Sequence, residues 1–277
     1  MGFGTLGSIG RGNVASQPIK YLFIDGGCLR ATLADIERDY AGGQKLDIDF
    51  SNLTRQYSKV FYYDALPSKH SEESDDAFQA RFDAVDLFHK RLGALDRFHV
   101  YEGDTRRSSS RRRQTQKKVD IMIAVDMLTH AFRRNMERAT LLAGDLDFKP
   151  LIDALVNDGM FVTLWFPPNK TNPELISAAD QREQLDVRSI YDSLKPQSKA
   201  LFSLPMTNGM AGAGDPGTLL KSWANEDGDF CLYKSGEEFF ISGPNANIGY
   251  RTYYNHANLD LLAFYARDVL QSPIPKD

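Results

Sequence analysis

Acidic side chains recur in this chain at the points where short apolar stretches end. Asp25 closes the stretch KYLFID, Asp64 lies at the end of SKVFYYDAL, Glu102 near the end of RFHVYEG, and Asp145 directly follows ATLLAG. Aspartate is common after any strand because it forms turns, and Asp145 and Asp147 can be read in that way, as a turn former and a helix cap. Several acids brought to one edge of a sheet predict a binding site instead.

Carboxylates held close together repel one another, so such a group needs shared protons or a bound cation. The candidate group contains no histidine or cysteine, and oxygen ligands alone favour hard cations such as Mg²⁺ or Mn²⁺. One or two such ions held by three or four acids suit the hydrolysis of phosphodiesters. The histidines are scattered along the chain, and His89 is expected on the polar face of a helix. No serine or cysteine nucleophile with a histidine base is indicated.

The elements that must position these acids alternate between apolar strands and amphipathic helices. Strands are predicted at residues 20–25, 58–66, 97–103, 139–144, 160–166 and near 186–190. Helices are predicted at residues 29–40, 74–92, 120–134, 148–158 and 172–180. This alternation predicts an α/β fold with a mostly parallel central sheet covered on both faces. Parallel strands end at the same edge, which therefore collects the acids, with Asp120 at the start of its helix above that edge.

The chain is expected to divide into four parts. Residues 1–18 are predicted to be a flexible leader, 19–192 the α/β domain, 193–217 a linker and 218–277 a small α+β module. Within the module, strands are predicted at 219–224, 229–234 and 238–242, and a helix at 257–270. The apolar stripe of that helix is too broad for one face in water, so it must pack on its own strands, on the large domain or on another subunit. We expect the module to serve homo-oligomerisation or substrate selection, and not chemistry.

The bulk composition limits the class of protein. The 277 residues are 42% hydrophobic and 25% charged, the net charge is −4 and the pI is about 5.8. A basic footprint over the whole chain is therefore absent, although a local one remains open. Two cysteines without a pattern indicate neither a disulfide framework nor a zinc site, and they predict a reducing, cytoplasmic setting. No apolar run is long enough for a membrane-spanning helix, so no membrane partner is expected.

One strongly basic segment, residues 106–118, interrupts this acidic chain. It carries seven positive charges in thirteen residues, and it is expected to form a loop between the third strand and Asp120. The segment is either a solvated loop or a clamp for nucleic-acid phosphates beside the acidic edge. The side chains that would bind the phosphates are Arg106, Arg107, Arg111, Arg112, Arg113, Lys117 and Lys118.

Four segments carry a resemblance to a known family: YLFIDGGCLRATL, KVFYYDALP, KKVDIMIAVDML and ATLLAGDLDFKPLIDAL. In this order, from about residue 19 to about residue 190, they resemble the NYN domain, the LabA-like branch of the PIN-like metal-dependent ribonucleases. The resemblance implies a PIN-like fold and an endoribonuclease that cleaves RNA with Mg²⁺ or Mn²⁺. It also implies that Asp25, Asp120 and Asp145 bind the metal, with Asp147 as a further catalytic acid.

A second tier of candidate acids consists of Asp64, Glu102 and Asp126. Asp126 is typical of the family, but it lies about 240° round the helix from the predicted metal ligand on the same helix. It can instead pair with His130 or Arg133 inside the fold.

Two positions depart from the family pattern. Cys28 stands where the family usually has asparagine, and Ala143 where it usually has serine. Cysteine orients a ligand or a water less well than asparagine does. The prediction is therefore a metal-dependent endoribonuclease acting on single-stranded or structured RNA. The alternative is a catalytically weak or inactive RNA-binding or scaffold protein on the same fold.

Overall fold

The centre of the structure is a parallel β-sheet. A computed structural model of the chain describes residues 17–103, 112–208, 217–245 and 250–276. In this part of the chain six strands lie in the order β3-β2-β1-β4-β5-β6, and each neighbouring pair is parallel. Their bounds are β1 Lys20–Asp25, β2 Lys59–Ala65, β3 Phe98–Gly103, β4 Arg138–Leu142, β5 Phe161–Phe166 and β6 Gln181–Gln184. The predicted α/β architecture is confirmed.

Helices cover both faces of this sheet. One face carries α1 (Gly26–Asp39), α2 (Phe50–Leu53), α3 (Asp75–Gly93) and α7 (Val187–Asp192), and the other carries α4 (Arg112–Phe132), α5 (Lys149–Asn157) and α6 (Pro173–Ala178). Alternate side chains of a strand point to opposite faces. In β1, Leu22 and Ile24 therefore enter the first core, whereas Tyr21 and Phe23 enter the second. None of the described helices is long and apolar enough to cross a membrane.

The turn from β1 into α1 depends on a glycine. α1 begins at Gly26, earlier than the predicted start at residue 29, because Asp25 caps it directly after the strand. A β-carbon at Gly26 would lie 2.6 Å from the hydroxyl oxygen of Tyr62 and 2.8 Å from the carbonyl oxygen of Tyr63. Any larger residue would collide with β2, so the glycine allows α1 to pack closely on the sheet.

α4 begins well before the predicted position. The helix starts at Arg112 and not at Asp120, so the second half of the predicted basic loop is helical and Asp120 lies inside the helix. Residues 112–118, RRQTQKK, contain no glycine or proline, and arginine, lysine and glutamine are good helix formers. The prediction of a loop rested on charge density, whereas helix propensity determines the local structure.

The edge of the sheet beyond β5 also differs from the prediction. The last strand is β6, and the strand expected near 186–190 is instead helix α7. Asp186 caps this helix by accepting from a backbone N–H at 2.9 Å. Val187 and Ile190 are buried in the same core, and residues three positions apart share one face of a helix but point to opposite faces of a strand.

The segment 193–217, expected to be a linker, contains defined structure in its described part. It includes helix α8 (Pro196–Lys199) and strand β7 (Met206–Asn208). The ring of Phe202 packs on that of Tyr40 in α1, with centroids 5.8 Å apart. Such short elements show no periodicity in the sequence, although buried aromatic contacts tie this segment to the large domain.

The C-terminal region forms a second, antiparallel sheet. Its described strands lie in the order β7-β11-β10-β9-β8. Besides β7, its strands are β8 Thr218–Asn225, β9 Gly228–Ser235, β10 Glu238–Asn245 and β11 Tyr250–His256. β11 is missing from the prediction because its sequence, YRTYYNH, contains no aliphatic residue.

The final helix, α9 (Leu259–Asp268), packs in two directions. Leu262 and Ala266 belong to the core of the second sheet, whereas Tyr265 belongs to the core of the large domain. The broad apolar stripe of this helix is therefore covered on two sides within one chain. Its breadth no longer supplies an argument for self-association.

Candidate active site at the carboxyl edge of the sheet

The sheet order places the ends of β1 and β4 side by side. β1 connects to β2 on one side and β4 connects to β5 on the other, so the strand order reverses between them. In open α/β sheets, ligands bind in the crevice beyond the carboxyl ends of the strands at such a reversal. Asp25 is the last residue of β1, and Asp145 follows β4, whose Leu142 is the register partner of Ile24. The structure brings these two predicted acids to neighbouring strand ends, and we call the space between them the crevice.

Asp25 and Asp145 each use one carboxylate oxygen to start the following turn. Asp25 Oδ1 accepts from the backbone N–H groups of Gly27 at 2.9 Å and Cys28 at 3.2 Å, which caps α1. Asp145 Oδ1 accepts from the N–H of Asp147 at 3.0 Å, so Asp145 and not Asp147 is the cap. Among the described residues, Oδ2 of either aspartate accepts no hydrogen bond. Capping and ligand binding are compatible because they use different oxygens.

Burial and neighbouring charges shift the pKa of Asp25. Burial raises the pKa of Asp25, while the two backbone N–H groups and the charge of Arg30 oppose that rise. The negative charge of Asp145 raises the pKa further, and the net result lies above the ordinary value. A cation between the two carboxylates would stabilise their ionised forms.

The other two predicted catalytic acids, Asp120 and Asp147, lie within a helix and a 3₁₀ turn and not at a strand end. Asp120 is partly buried on α4 between Val119 and Ile123, which both enter the core beneath that helix. Asp147 is exposed in the 3₁₀ turn that follows Asp145. Among the described residues, no three histidine, cysteine, aspartate or glutamate side chains are grouped so that they could hold a metal ion. The structure thus joins two of the predicted ligands and does not assemble all three in one metal-binding group.

Asp126 has a partner that the sequence did not suggest. The hydroxyl of Tyr63 donates to Asp126 Oδ2 at 2.8 Å, linking β2 to α4. Burial, and then this hydrogen bond, raise the pKa of Tyr63, so the phenol remains the donor. The direct partner is therefore Tyr63, and not His130 or Arg133 as expected. The ring of His130 instead packs on Phe61, with centroids 4.9 Å apart.

Asp64 and Glu102 belong to a separate polar chain that runs through a buried histidine. His89 Nδ1 lies 2.8 Å from Glu102 Oε1, and His89 Nε2 lies 3.3 Å from Asp64 Oδ2. Asp64 Oδ1 also accepts from the N–H of Ala65 at 2.7 Å, and its Oδ2 pairs with the guanidinium of Arg30. Both carboxylate oxygens of Asp64 therefore have partners, and Asp64 positions its neighbouring side chains in this structure.

His89 was expected on the polar face of its helix, and that prediction is wrong. Only 2% of its side chain is exposed. The apolar stripe of α3 runs through positions 78, 82, 85, 88 and 92, and position 89 lies four residues after 85 and three before 92, at the edge of the same face. That spacing is the signal that could have identified His89 as an inward-facing residue.

The basic residues divide between described and undescribed parts of the chain. Arg106, Arg107 and Arg111 lie outside the described residues. Arg112, Arg113, Lys117 and Lys118 lie on the first turns of α4, and of these only the side chain of Lys118 is described, as exposed. The proposed phosphate clamp therefore remains a prediction.

The two departures from the family pattern lie beside the crevice. Burial, together with the negative charge of Asp25, raises the pKa of the Cys28 thiol to about 12. In the metal-free protein the thiol stays protonated at neutral pH, so it is not a nucleophile there. Ala143 is fully buried and follows β4, with its N–H donating to the carbonyl of Trp165 at 3.2 Å. Neither side chain offers the crevice a strong hydrogen-bonding group.

Comparisons with known proteins give one match that identifies a family. No curated protein matches the chain. A crystal structure of a protein of unknown function from Vibrio parahaemolyticus is similar, with 20% identity and a TM-score of 0.45 over 65% of this chain and 99% of that chain. The NYN domain family matches residues 35–186, more than half of the chain. This range includes Asp120, Asp145 and Asp147 and begins after Asp25. The chain belongs to the NYN domain family of PIN-like nucleases.

Proposed function

We propose that the protein is a metal-dependent endoribonuclease whose Asp25 and Asp145 hold Mg²⁺ or Mn²⁺. The observation that supports this most directly is the pair of carboxylates at the reversal of strand order, where each keeps Oδ2 clear of hydrogen bonds in the described structure. The donor set fits Mg²⁺, which takes oxygen ligands and usually needs only one or two protein carboxylates because it keeps several waters. When bound, such an ion lowers the pKa of water and stabilises charge on the phosphate.

The remaining acids of the large domain have supporting roles in this proposal. Asp147 is exposed two residues from Asp145, within reach of solvent at the crevice. Asp120 lies on α4, which packs on β1, the strand that ends at Asp25. We assign both to orienting the attacking water, because carboxylates accept hydrogen bonds from it. Asp64, Asp126 and Glu102 hold neighbouring side chains and do not contact the substrate.

RNA is the proposed substrate because a polyanion needs cations beside an acidic crevice. The first turns of α4 carry a run of arginine and lysine residues that leads towards Asp120. Phosphate contacts of this kind do not depend on sequence and weaken with salt. They would hold single-stranded or structured RNA over the crevice.

The test is cleavage of a labelled single-stranded RNA by the full chain, with Mg²⁺, with Mn²⁺ and with EDTA. We expect cleavage that requires metal and is lost in Asp145→Asn. A matched control is Asp153→Asn, since Asp153 pairs with Lys149 on α5 at 2.7 Å and belongs to no proposed site. A matched DNA strand tests the preference for RNA. Cleavage that persists in EDTA, or in Asp145→Asn, would contradict the proposal.

The second candidate function is RNA binding without efficient catalysis. The observations that favour it are the protonated thiol at Cys28, the methyl group at Ala143 and the absence of a three-acid group among the described residues. Under this alternative, the wild-type protein binds RNA but does not cleave it. The double variant Cys28→Asn with Ala143→Ser should then gain metal-dependent cleavage, because it restores the polar side chains usual in the family.

A further inference from the structure

Arg30 is the cation that the described structure places between the crevice and the buried polar chain. It lies on the second turn of α1, the helix capped by Asp25. Its charge opposes the effect of burial on the pKa of both Asp25 and Tyr62. Its side chain is 47% exposed, so Arg30 is accessible from solvent.

The guanidinium of Arg30 forms an ion pair with a buried acid. Arg30 Nη1 pairs with Asp64 Oδ2, and only 2% of the Asp64 side chain is exposed. The same oxygen accepts from the hydroxyl of Tyr62 at 3.2 Å and lies 3.3 Å from His89 Nε2. Tyr62, His89 and the backbone N–H of Ala65 all hold Asp64 in place. The arginine that pairs with Asp64 is therefore held in place as well. This is how a protein orients an arginine fork without using all of its donors.

The position of Arg30 relative to Asp25 follows from the sheet register. Asp25 is the register partner of Tyr63, and Asp64 is the next residue along β2. Arg30 therefore reaches from α1 to the end of the strand that neighbours Asp25. The guanidinium has five N–H donors in a planar fork, and its contacts with one oxygen of Asp64 and with the hydroxyl of Tyr62 leave other donors available.

We propose that Arg30 binds a phosphate oxygen of the RNA strand that lies on Asp25 and Asp145. This inference rests on the proposed function of the crevice. An arginine matches the geometry of phosphate, and one beside two carboxylates offsets their repulsion of a polyanion. Lys170 is also near the crevice, because its charge lowers the pKa of Cys28, but its ammonium group already pairs with the carboxylate of Asp35. Asp64 is then a positioning residue, which acts through Arg30.

The experiment measures RNA binding as a function of salt in Asp145→Asn protein, so that the RNA stays intact. Arg30→Met should weaken binding about ten- to hundredfold, the usual range for a hydrogen bond to a charged group. It should also lower the log–log salt slope by about 0.7, the loss of one phosphate contact on a single strand. Arg30→Lys should keep the slope, since the charge is retained. Arg38→Met is the matched control, because Arg38 is an exposed, ion-paired arginine on the same helix.

A second pair of measurements guards against a purely structural effect. Arg30→Met leaves Asp64 buried without its cation, so thermal melts accompany every variant. The double variant Arg30→Met with Asp64→Asn removes that buried charge and should recover stability without recovering RNA affinity or salt slope. In the cleaving protein, Arg30→Met should raise KM more than it lowers kcat.

The outcomes separate this inference from the proposed function. If the wild-type protein binds RNA and Arg30→Met binds it with the same affinity and salt slope as Arg38→Met, the assignment of Arg30 is wrong and the proposed function stands. Recovery of affinity in the double variant would also overturn the assignment. If the wild-type protein neither binds nor cleaves RNA, the proposed function and the inference both fail.

Discussion

Replacing Asp25 with asparagine tests whether the crevice holds its acids against burial and mutual repulsion. Asparagine caps helices about as well as aspartate does, so the bonds to the N–H groups of Gly27 and Cys28 should survive. The charge is what changes. Since burial and the charge of Asp145 raise the pKa of Asp25 in the folded protein, its ionised form is disfavoured there. We expect Asp25→Asn, without metal, to be at least as stable as wild type at neutral pH.

The pH dependence gives this prediction its sign. A carboxyl whose pKa is raised by folding contributes its stability in full below the unfolded pKa of about 3.9. That contribution is lost as the pH rises through the folded pKa, because the unfolded chain releases the proton more easily. The free energy of unfolding of Asp25→Asn minus that of wild type should therefore be near zero below about pH 4 and increase from about pH 4 towards pH 7.

Asp25→Ala is the matched control, because it removes the charge and the helix cap together. Loss of an N-cap costs about 1 kcal/mol, so Asp25→Ala should be less stable than Asp25→Asn by about this amount at every pH. In a protein of this size the difference corresponds to about 2–4 °C in Tm. Thermal melts in EDTA across this pH range provide the measurement.

Adding Mg²⁺ should reverse the order of stability. A ligand at a hundredfold excess over its Kd stabilises the folded protein by about 2.7 kcal/mol, and wild type should gain more than Asp25→Asn does. The reasoning is refuted if Asp25→Asn in EDTA is less stable than wild type at neutral pH. A stability difference that does not depend on pH would refute it equally.

Two further substitutions test the elements that build the crevice. Gly26→Ala should destabilise the protein by about 1–3 kcal/mol through overpacking against β2, whereas Gly93→Ala, whose β-carbon would lie 3.8 Å from its neighbour Val100, should have little effect in thermal melts. Tyr63→Phe should cost about 1.5–3 kcal/mol by removing the hydrogen bond to Asp126, while RNA cleavage by the folded protein stays near that of wild type. A loss of cleavage without a loss of stability would instead assign Asp126 to the chemistry.

Most of the strands and helices that bring Asp25 and Asp145 to the crevice could be predicted from the sequence. The alternation of apolar strands and amphipathic helices is a local pattern, and it predicts a parallel sheet whose strands end at one edge. Asp25 and Asp145 each follow such a strand, so their arrival at that edge needed no knowledge of the sheet order. Ser74 and Asn172, the first residues of two predicted helices, are the N-caps of α3 and α6, because capping depends on residues only a few positions apart.

Local patterns were misleading where two of them competed. Residues 112–118 are both highly charged and rich in helix formers, and the structure shows a helix there. His89 was assigned to a polar face by its residue type, although its spacing placed it within the apolar stripe of α3. In both cases the outcome depends on what the helix packs against, since most helical stability in proteins comes from tertiary contacts.

Only the tertiary structure determined which acids became neighbours. The order β3-β2-β1-β4-β5-β6 places β1 between β2 and β4. On the β2 side, Asp64 is occupied by Arg30 and His89, whereas on the β4 side Asp145 keeps one oxygen clear of hydrogen bonds in the described structure. Strand order is set by packing between segments far apart in the sequence, and the spacing of residues along the chain does not contain it. The sequence therefore predicted an acidic edge, and the fold separated the pair Asp25 and Asp145 from the polar chain of Asp64, His89 and Glu102 that binds Arg30.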